Sequence, residues 1–351
     1  MWNPSQLLAL QRVDPRRATR ATLNRHGVGA GAPQLSRGAT MSDWKLVTTG
    51  LRFPEGPIAL ANGDVLVVEI ERGTLTRVSP DGTKTVVGDT KGGPNGAAMG
   101  PDGKVYVCNN GGFIWTEVDG QLFPGNEPPD YIGGRIQSVD LNTGTVSDVY
   151  TAYNGRGLRG PNDIVFDAHG GFYFTDLGKG HDHTVDRGAV YYGRTDGSPL
   201  VQVVAPLDHP NGCGLSPDGK WLYVCETLTG RVWGWEIASP GVIKPSDAMF
   251  AAPSGGTLIG SLPGYELIDS MAVDSDGNLC LATLVKGCIT VLSPKGQILR
   301  QVAPPKFDPL VTNICFGGPD LRTAYVTVSA CGELWSCDWP VPGAKLNFLN
   351  T

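Results

Sequence analysis

Four short segments each place a carboxylate or a side-chain amide just before a run of apolar residues. They read FPEGPIAL, GPNDIVFD, HPNGCGLS and LIDSMAVD, and their polar residues are Glu55, Asn162, Asn211 and Asp269. In every case an Asn-Gly, Gly-Gly or Asp-Gly turn follows seven or eight residues later. Asn and Asp most often serve turns, but four of them in one register favour a shared site. Because all four offer oxygen, this site would suit a hard divalent cation such as Ca²⁺, Mg²⁺ or Mn²⁺.

A cation in such a site would be available for catalysis. A divalent cation can polarise a carbonyl group and activate a water molecule as the nucleophile. We expect Glu55 to anchor the cation, and Asn162 and Asn211 to set its geometry without adding charge. Asp269 is the predicted catalytic residue, because a carboxylate at the edge of the site can bind the cation and also take the proton of the water.

Other residues could contact a substrate. Asn95, in GGPNGAAMGPDG, repeats the register of the four candidates. Residues 109–135 form an insertion that is long enough to be functional. This insertion could be an aromatic lid over the site, or it could pack against a neighbouring loop. The segment GKGHDHTVDRG could likewise contact the substrate or form a solvated loop. The predicted substrate-binding residues are Asn95, Asn110, Trp115, Tyr131 and His183.

The candidate residues belong to a repeated unit. Six alternating segments bounded by glycine-rich turns occur along the chain, namely GDVLVVEI, GKVYVCNN, GGFYFTDL, KWLYVCET, GNLCLATL and RTAYVTVS. Alternation between apolar and polar residues with such turns predicts β-hairpins, and amphipathic helix patterns are almost absent. We therefore predict an all-β, six-bladed β-propeller with the metal site in its central channel, and Trp44–Thr48 as the strand that completes the last blade. A two-sheet sandwich is the alternative.

Composition narrows the class further. The chain has 351 residues with 49 Gly, 27 Pro and 40% hydrophobic residues, which fits a packed protein rich in tight turns. It has no apolar run long enough for a transmembrane helix. Six arginines and one acid give residues 1–40 a charge of +5, whereas residues 41–351 carry −11. So acidic a body disfavours binding to nucleic acid. We expect residues 1–40 to be a disordered leader or an over-extended start, and residues 41–351 to form the catalytic domain.

The eight cysteines include no CxxC pair. They lie mostly within apolar strand patterns, which is typical of free, buried thiols in a reducing compartment. We therefore predict free thiols and a cytoplasmic protein.

The segments FPEGP, GPND, HPNG and IDSMAVD together resemble the senescence marker protein/gluconolactonase/luciferin-regenerating-enzyme family. This family includes regucalcin, bacterial sugar lactonases and, more distantly, diisopropyl fluorophosphatase. The resemblance spans about residues 45–340. It implies a six-bladed propeller with one catalytic divalent cation in the channel. It also implies that Glu55, Asn211 and Asp269 are ligands, and that Asn162 binds the metal or touches the substrate.

Two departures from the family pattern concern the substrate. Gly160 stands where many sugar lactonases have Arg, and Ile268-Asp269-Ser270 replaces the common Pro-Asp-Gly. We therefore predict a divalent-metal-dependent lactonase that resembles gluconolactonase and acts either on a sugar lactone or on a less polar lactone. Ca²⁺ is the favoured ion, and Zn²⁺, Mn²⁺ or Fe²⁺ are alternatives. The alternative functions are hydrolysis of organophosphates and a non-catalytic metal-binding propeller. No nucleic-acid or membrane partner is expected.

Overall fold

The described part of the chain forms six antiparallel sheets of four or five strands each. The structure is a computed structural model that describes residues 43–181, 183–245 and 255–350. Within these ranges there is no α-helix. No described helix is therefore long and apolar enough to cross a membrane. The sheets form the blades of a six-bladed β-propeller, which confirms the predicted fold. The predicted leader, residues 1–40, lies outside the described residues.

Each blade begins with a strand at the channel and adds strands outward. The first three blades comprise β2 (Pro54–Ala59), β3 (Val65–Glu69), β4 (Thr74–Val78) and β5 (Lys84–Asp89); β6 (Pro94–Met99), β7 (Val105–Asn109), β10 (Arg135–Val139) and β11 (Val146–Tyr150); and β14 (Pro161–Phe166), β15 (Gly171–Asp176), β16 (Gly188–Arg194) and β17 (Val201–Leu207). Among the residues that the structure describes, two hairpins lie outside the blades, namely β8 (Trp115–Val118) with β9 (Gln121–Pro124), and β12 (Ala152–Tyr153) with β13 (Arg156–Gly157).

The remaining blades follow the same order. They comprise β18 (Pro210–Leu215), β19 (Trp221–Glu226), β20 (Arg231–Ser239), β21 (Val242–Ile243) and β22 (Thr257–Ser261); β23 (Leu267–Val273), β24 (Leu279–Leu284), β25 (Cys288–Leu292) and β26 (Ile298–Val302); and β27 (Val311–Gly317), β28 (Thr323–Val328), β29 (Glu333–Asp338) and β1 (Lys45–Thr48).

Blade 6 joins the two ends of the described chain. Strand β1 pairs antiparallel with β29, so that Lys45 lies opposite Ser336 and Leu46 opposite Trp335. This pairing covers the outer edge of β29, which would otherwise be an exposed strand edge. The prediction that the segment around Trp44–Thr48 completes the last blade is confirmed.

Apolar and aromatic side chains fill the space between blades. Between blades 2 and 3, for example, the ring of Phe166 lies 5.1 Å from that of Phe172 and 5.3 Å from that of Tyr106. Full burial of one such side chain contributes about 2 to 3 kcal/mol. Because packed blades lie on both sides, β14 and β15 are buried along their whole lengths. The inner strands therefore form a rigid frame around the channel.

Candidate metal centre

The first strand of every blade carries a polar residue near its start, at one end of the channel. In blade order these residues are Glu55, Asn95, Asn162, Asn211, Asp269 and Thr312. Next to each of them the pairing with the second strand of the blade is interrupted by a register shift. Such an irregularity bends a strand and re-aims its side chains. The sixfold recurrence of this bulge places the four predicted ligands at equivalent positions around the channel. Together the six polar residues form a ring at this level, and each of them is a ring residue.

Glycines let these strands approach one another closely. A Cβ on Gly56 would lie 2.6 Å from the carbonyl oxygen of Asn95, and one on Gly96 would lie 2.4 Å from that of Asn162. A Cβ on Gly212 would lie 2.7 Å from the backbone nitrogen of Met271. Real Cβ atoms do not tolerate such distances to backbone, so each glycine, next in sequence to a ring residue, keeps the ring narrow.

Two of the predicted ligands are carboxylates without a basic partner. Glu55 is buried, and its Oε2 accepts hydrogen bonds from Gly56 N at 2.8 Å and from Asn313 Nδ2 at 2.7 Å. Burial raises the pKa of Glu55. Burial, and then the charge of Glu55, raise the pKa of Asp269 well above its ordinary value. No ion pair with a described Lys, Arg or His neutralises either carboxylate. This electrostatic situation favours the binding of a cation.

A third carboxylate, Asp163, was not among the predicted ligands. It is buried beside Asn162, and it accepts hydrogen bonds from Ile164 N at 2.9 Å and from Cys213 N at 3.1 Å. Burial raises its pKa to about 7, and the charge of Glu55 adds to this effect. Aligning the repeats could have found Asp163, because three other blades have Gly at this position.

The two amides present their oxygens as acceptors. Asn162 Oδ1 is buried and has no hydrogen-bond partner among the described residues. Asn211 Nδ2 donates to Thr227 Oγ1 at 3.1 Å, which fixes the orientation of the amide. Its Oδ1 faces Ser270 and accepts a hydrogen bond from Ser270 Oγ at 3.4 Å. A buried acceptor without a donor is costly, and a cation would satisfy it. No group of three or more His, Cys, Asp or Glu that could hold a metal occurs among the described residues, so a cation here would depend on the amides.

The hairpin β8–β9 covers this end of the channel. It leaves blade 2 and packs against apolar residues at the ends of blades 1, 5 and 6, namely Phe53, Ile70, Leu267, Leu284, Leu310 and Ala330. Leu122 N donates to the carbonyl oxygen of Ala330 at 2.9 Å. The Trp115 ring lies 5.0 Å from that of Phe53, two residues before Glu55. The sequence suggested either a lid over the site or packing against a neighbouring loop. The hairpin of the insertion combines the two, since it lies over the channel and packs against neighbouring loops.

Comparison with known proteins agrees with this geometry. Residues 53–330 match the profile described as the SMP-30/gluconolactonase/LRE-like region. The chain belongs to this family. It is 30% identical to lactonase drp35 of Staphylococcus haemolyticus over 272 residues, which cover 77% of this chain and 75% of the relative. It is 32% identical to lactonase drp35 of Staphylococcus saprophyticus, with the same coverage of both chains.

Solved structures show that this SMP-30/gluconolactonase/LRE-like protein shares the fold of the family. A gluconolactonase from Xanthomonas campestris is 23% identical, with a TM-score of 0.65 and coverage of 85% of this chain and 89% of the other. Regucalcin from Agrobacterium tumefaciens, described as a calcium-binding protein, is 17% identical, with a TM-score of 0.66 and coverage of 86% and 95%.

The predicted substrate-binding residues of this family member lie in different surroundings. Asn95 is buried on β6 in the ring, and Trp115 lies in the hairpin above it. Asn110 accepts a hydrogen bond from Gly112 N at 2.8 Å, whereas its buried Nδ2 has no partner among the described residues. Tyr131 instead packs beneath the Arg159 guanidinium, 5.1 Å from the ring centre, and donates its hydroxyl hydrogen to the carbonyl oxygen of Arg159. His183 is exposed.

The loop that contains His183 is held by surface ion pairs. Arg159 pairs with Asp186 at 2.9 Å, and Arg187 pairs with Asp208 at 2.9 Å. Asp182, which the sequence placed in the same charged segment, lies outside the described residues. These contacts fit the solvated-loop alternative, and a role of His183 in binding stays a prediction.

Beyond the ring, the channel continues into a cavity of about 450 Å³. Asp163, Cys213 and Asn313 line the end of this cavity near the ring, and Leu346 and Asn347 line the far end. All eight cysteines are free, as predicted, and all but Cys331 are buried as small core residues.

Proposed function

We propose that this protein is a divalent-metal-dependent lactonase that hydrolyses a lactone of low polarity to the corresponding hydroxy acid. The observation that carries the proposal is the ring itself, in which buried carboxylates without basic partners lie with an unpaired amide oxygen at one end of the channel. Membership in a family that contains lactonases supports the same chemistry. Ca²⁺ is the proposed ion, since hard oxygen ligands suit it and one structural relative is described as calcium-binding.

A cation bound in the ring would supply electrophilic polarisation of the lactone carbonyl and a more acidic water. Glu55, Asn162, Asn211 and Asp269 would hold it. Hydrogen bonds from Gly56 N and Asn313 Nδ2 orient Glu55, and Thr227 orients Asn211. Asp269 is the proposed general base, because its carboxylate lies within the ring and no lysine or arginine pairs with it among the described residues.

In the proposed reaction, the oxygen of water bonds to the carbonyl carbon, and Asp269 takes the proton that the water loses. The C–O bond of the lactone then breaks. Asp269 passes the proton to the alkoxide oxygen that leaves, so that a hydroxy acid is released. A carboxylate that serves as general base contributes about 10²- to 10⁴-fold in rate.

The hairpin supports a substrate of low polarity. Phe113, Trp115 and Phe53 form a chain of ring contacts, with centroids 5.9 and 5.0 Å apart, at the covered end of the channel. Aromatic surface beside the ring would favour an alkyl- or aryl-substituted lactone over a polyhydroxylated one.

The test uses chelator-stripped full-length protein. Gluconolactone, an alkyl lactone and an aryl lactone are assayed without metal and with Ca²⁺, Mn²⁺ or Zn²⁺ added back. We expect turnover that depends on the cation and is fastest with the less polar lactones. Asp269→Asn should lose at least about 100-fold in kcat, whereas Asp276→Asn, in the turn at the other end of β23, should retain activity. Turnover of an organophosphate but of no lactone would refute the lactonase assignment. Cation binding without turnover of either substrate would indicate a non-catalytic propeller.

A further inference from the structure

In four blades, the second strand ends in a buried polar residue. These residues are Glu69, Asn109, Asp176 and Glu226. Each side chain accepts a hydrogen bond from a backbone N–H of the segment that leads into the first strand of the same blade. The donors are Arg52 N at 2.7 Å, Gly93 N at 2.9 Å, Arg159 N at 2.8 Å and Asp208 N at 2.8 Å. Each donor precedes the ring residue of its blade by two or three positions.

Asp176 makes the most complete set of these contacts. Its Oδ2 accepts from Arg159 N, and its Oδ1 accepts from Gly160 N at 2.7 Å and from Gly178 N at 3.0 Å. The three N–H groups belong to the two loop segments that flank β14 and β15 at the ring end. The carboxylate therefore fixes the direction in which the chain enters β14, two residues before Asn162.

Glu226 does the same for Asn211 in blade 4. Its Oε1 accepts from Asp208 N, while its Oε2 accepts from Thr229 Oγ1 at 2.8 Å and from Trp233 Nε1 at 3.0 Å. Both carboxylate oxygens thus accept hydrogen bonds, and the two contacts to Oε2 fix the position of the Glu226 side chain. In blade 1, Thr76 and Arg72 hold Glu69 in the same way.

We infer that Glu69, Asp176 and Glu226 are positioning residues that fix three ring side chains for metal binding. Asn109 holds the segment before Asn95, the predicted substrate contact, in the same way. The inference rests on the proposed function, because it takes the ring as the metal site. Groups behind metal ligands hold them in the required geometry, and changing such a group typically weakens metal binding about 10- to 100-fold.

The same hairpin offers a matched control at its far end. Asp167 caps the turn between β14 and β15 on the side away from the ring. Its Oδ1 accepts from His169 N at 2.8 Å and from Gly171 N at 3.1 Å, and its Oδ2 accepts from Tyr192 Oη at 2.8 Å. Asp167 and Asp176 are thus buried aspartates that each receive three hydrogen bonds, and only one of them adjoins the ring.

The experiment compares Asp176→Asn with Asp167→Asn in the full-length protein. The amide of Asp176→Asn would place an NH₂ donor against one of three backbone N–H donors, so the loop before Asn162 must shift. Binding of Ca²⁺, and separately of Mn²⁺, to chelator-stripped protein is measured by calorimetry, and denaturant unfolding of the metal-free forms is measured alongside. We expect an affinity about 10- to 100-fold weaker for Asp176→Asn and unchanged within about twofold for Asp167→Asn.

Glu226→Gln provides a second test in another blade, in case Asp176→Asn does not fold. Its NH₂ group would oppose the N–H of Asp208 or that of Trp233, and we expect a similar loss of affinity. Wild-type affinity in a folded Asp176→Asn or Glu226→Gln variant would overturn the positioning role alone. A wild-type protein that binds neither cation would contradict the proposed function, and the positioning role would fall with it. An equal loss in Asp167→Asn would show that the effect is one of general stability.

Discussion

The stability of the metal-free protein should fall as the pH rises from 5 to 7. Asp163 is protonated in the folded state up to a pKa of about 7, because its surroundings are buried, whereas its ordinary value is 3.8. A carboxyl group whose folded pKa is raised stabilises the fold at low pH, and this contribution is lost as the pH approaches the folded pKa. Between these values one group costs about 1.4 kcal/mol per pH unit. Because the folded group is already half ionised at pH 7, Asp163 alone predicts a loss of about 2 kcal/mol between pH 5 and pH 7.

The assay is denaturant unfolding of wild type and Asp163→Asn at pH 5, 6 and 7 in the presence of a chelator. The variant keeps an acceptor for Ile164 N, as Asn313 does for Ile314 N at 2.8 Å in blade 6. Its NH₂ group would face Cys213 N in place of the Oδ2 acceptor, so we expect the variant to fold but to be less stable at every pH. The variant should lack about 2 kcal/mol of the wild-type pH dependence. This difference isolates Asp163 from His209, whose pKa is lowered by burial and which acts in the opposite sense.

Carboxylates with lowered pKa values, such as Glu71 beside Arg52, exert their effect below this pH window. Saturating Ca²⁺ should flatten the wild-type slope, because a bound cation favours ionised carboxylates nearby. If metal-free stability is constant or rises between pH 5 and pH 7, the reasoning is wrong. Equal slopes in wild type and Asp163→Asn would show that the proton is held elsewhere.

Three further predictions follow from the same structure. Glu55→Gln should weaken Ca²⁺ binding at least about 100-fold in calorimetry, whereas Glu236→Gln, on the outer surface, should not; equal affinities would remove Glu55 from the ligands. Trp115→Ala should raise KM for an aryl lactone about 10-fold and leave gluconolactone nearly unchanged, and equal effects on both would refute a role in selectivity. A chain that begins at Gly50 lacks β1 and should unfold at a lower denaturant concentration than one that begins at Asp43, since β29 loses its partner; coincident unfolding curves would contradict this role of β1.

Much of the fold could be predicted because the repeats carry it locally. Alternating strands, glycine turns and a fixed distance from each polar residue to the next turn indicated the number of blades and the level of Glu55, Asn162, Asn211 and Asp269. Asp163 and the positioning residues were missed for a different reason. Their roles depend on contacts between strands, such as that of Asp163 Oδ2 with Cys213 N, 50 residues away in sequence. An alignment of the repeats marks these positions as polar, but it does not show which backbone groups their side chains bind.

The path of the hairpin β8–β9 was equally beyond local patterns. Its aromatic content suggested a lid. Its direction, however, is set by apolar residues on blades 1, 5 and 6, which come together only when the six blades close into the propeller. Tyr131 belongs to the same insertion, yet it packs on Arg159 near blade 3. Residues close in sequence therefore diverge here according to which blade offers each of them a partner.

The ring joins two requirements that oppose each other. Its glycines bring neighbouring strands so close that a Cβ on Gly96 would overlap the carbonyl oxygen of Asn162, which leaves the polar side chains little freedom to move. Burial in the same channel raises the pKa values of Glu55, Asp163 and Asp269, and the charge of Glu55 adds to this effect for Asp163 and Asp269. Narrow packing thus stabilises the geometry of the site and destabilises its ionised state. A bound divalent cation is the partner that would resolve this conflict, because it offsets the charge without requiring the strands to separate.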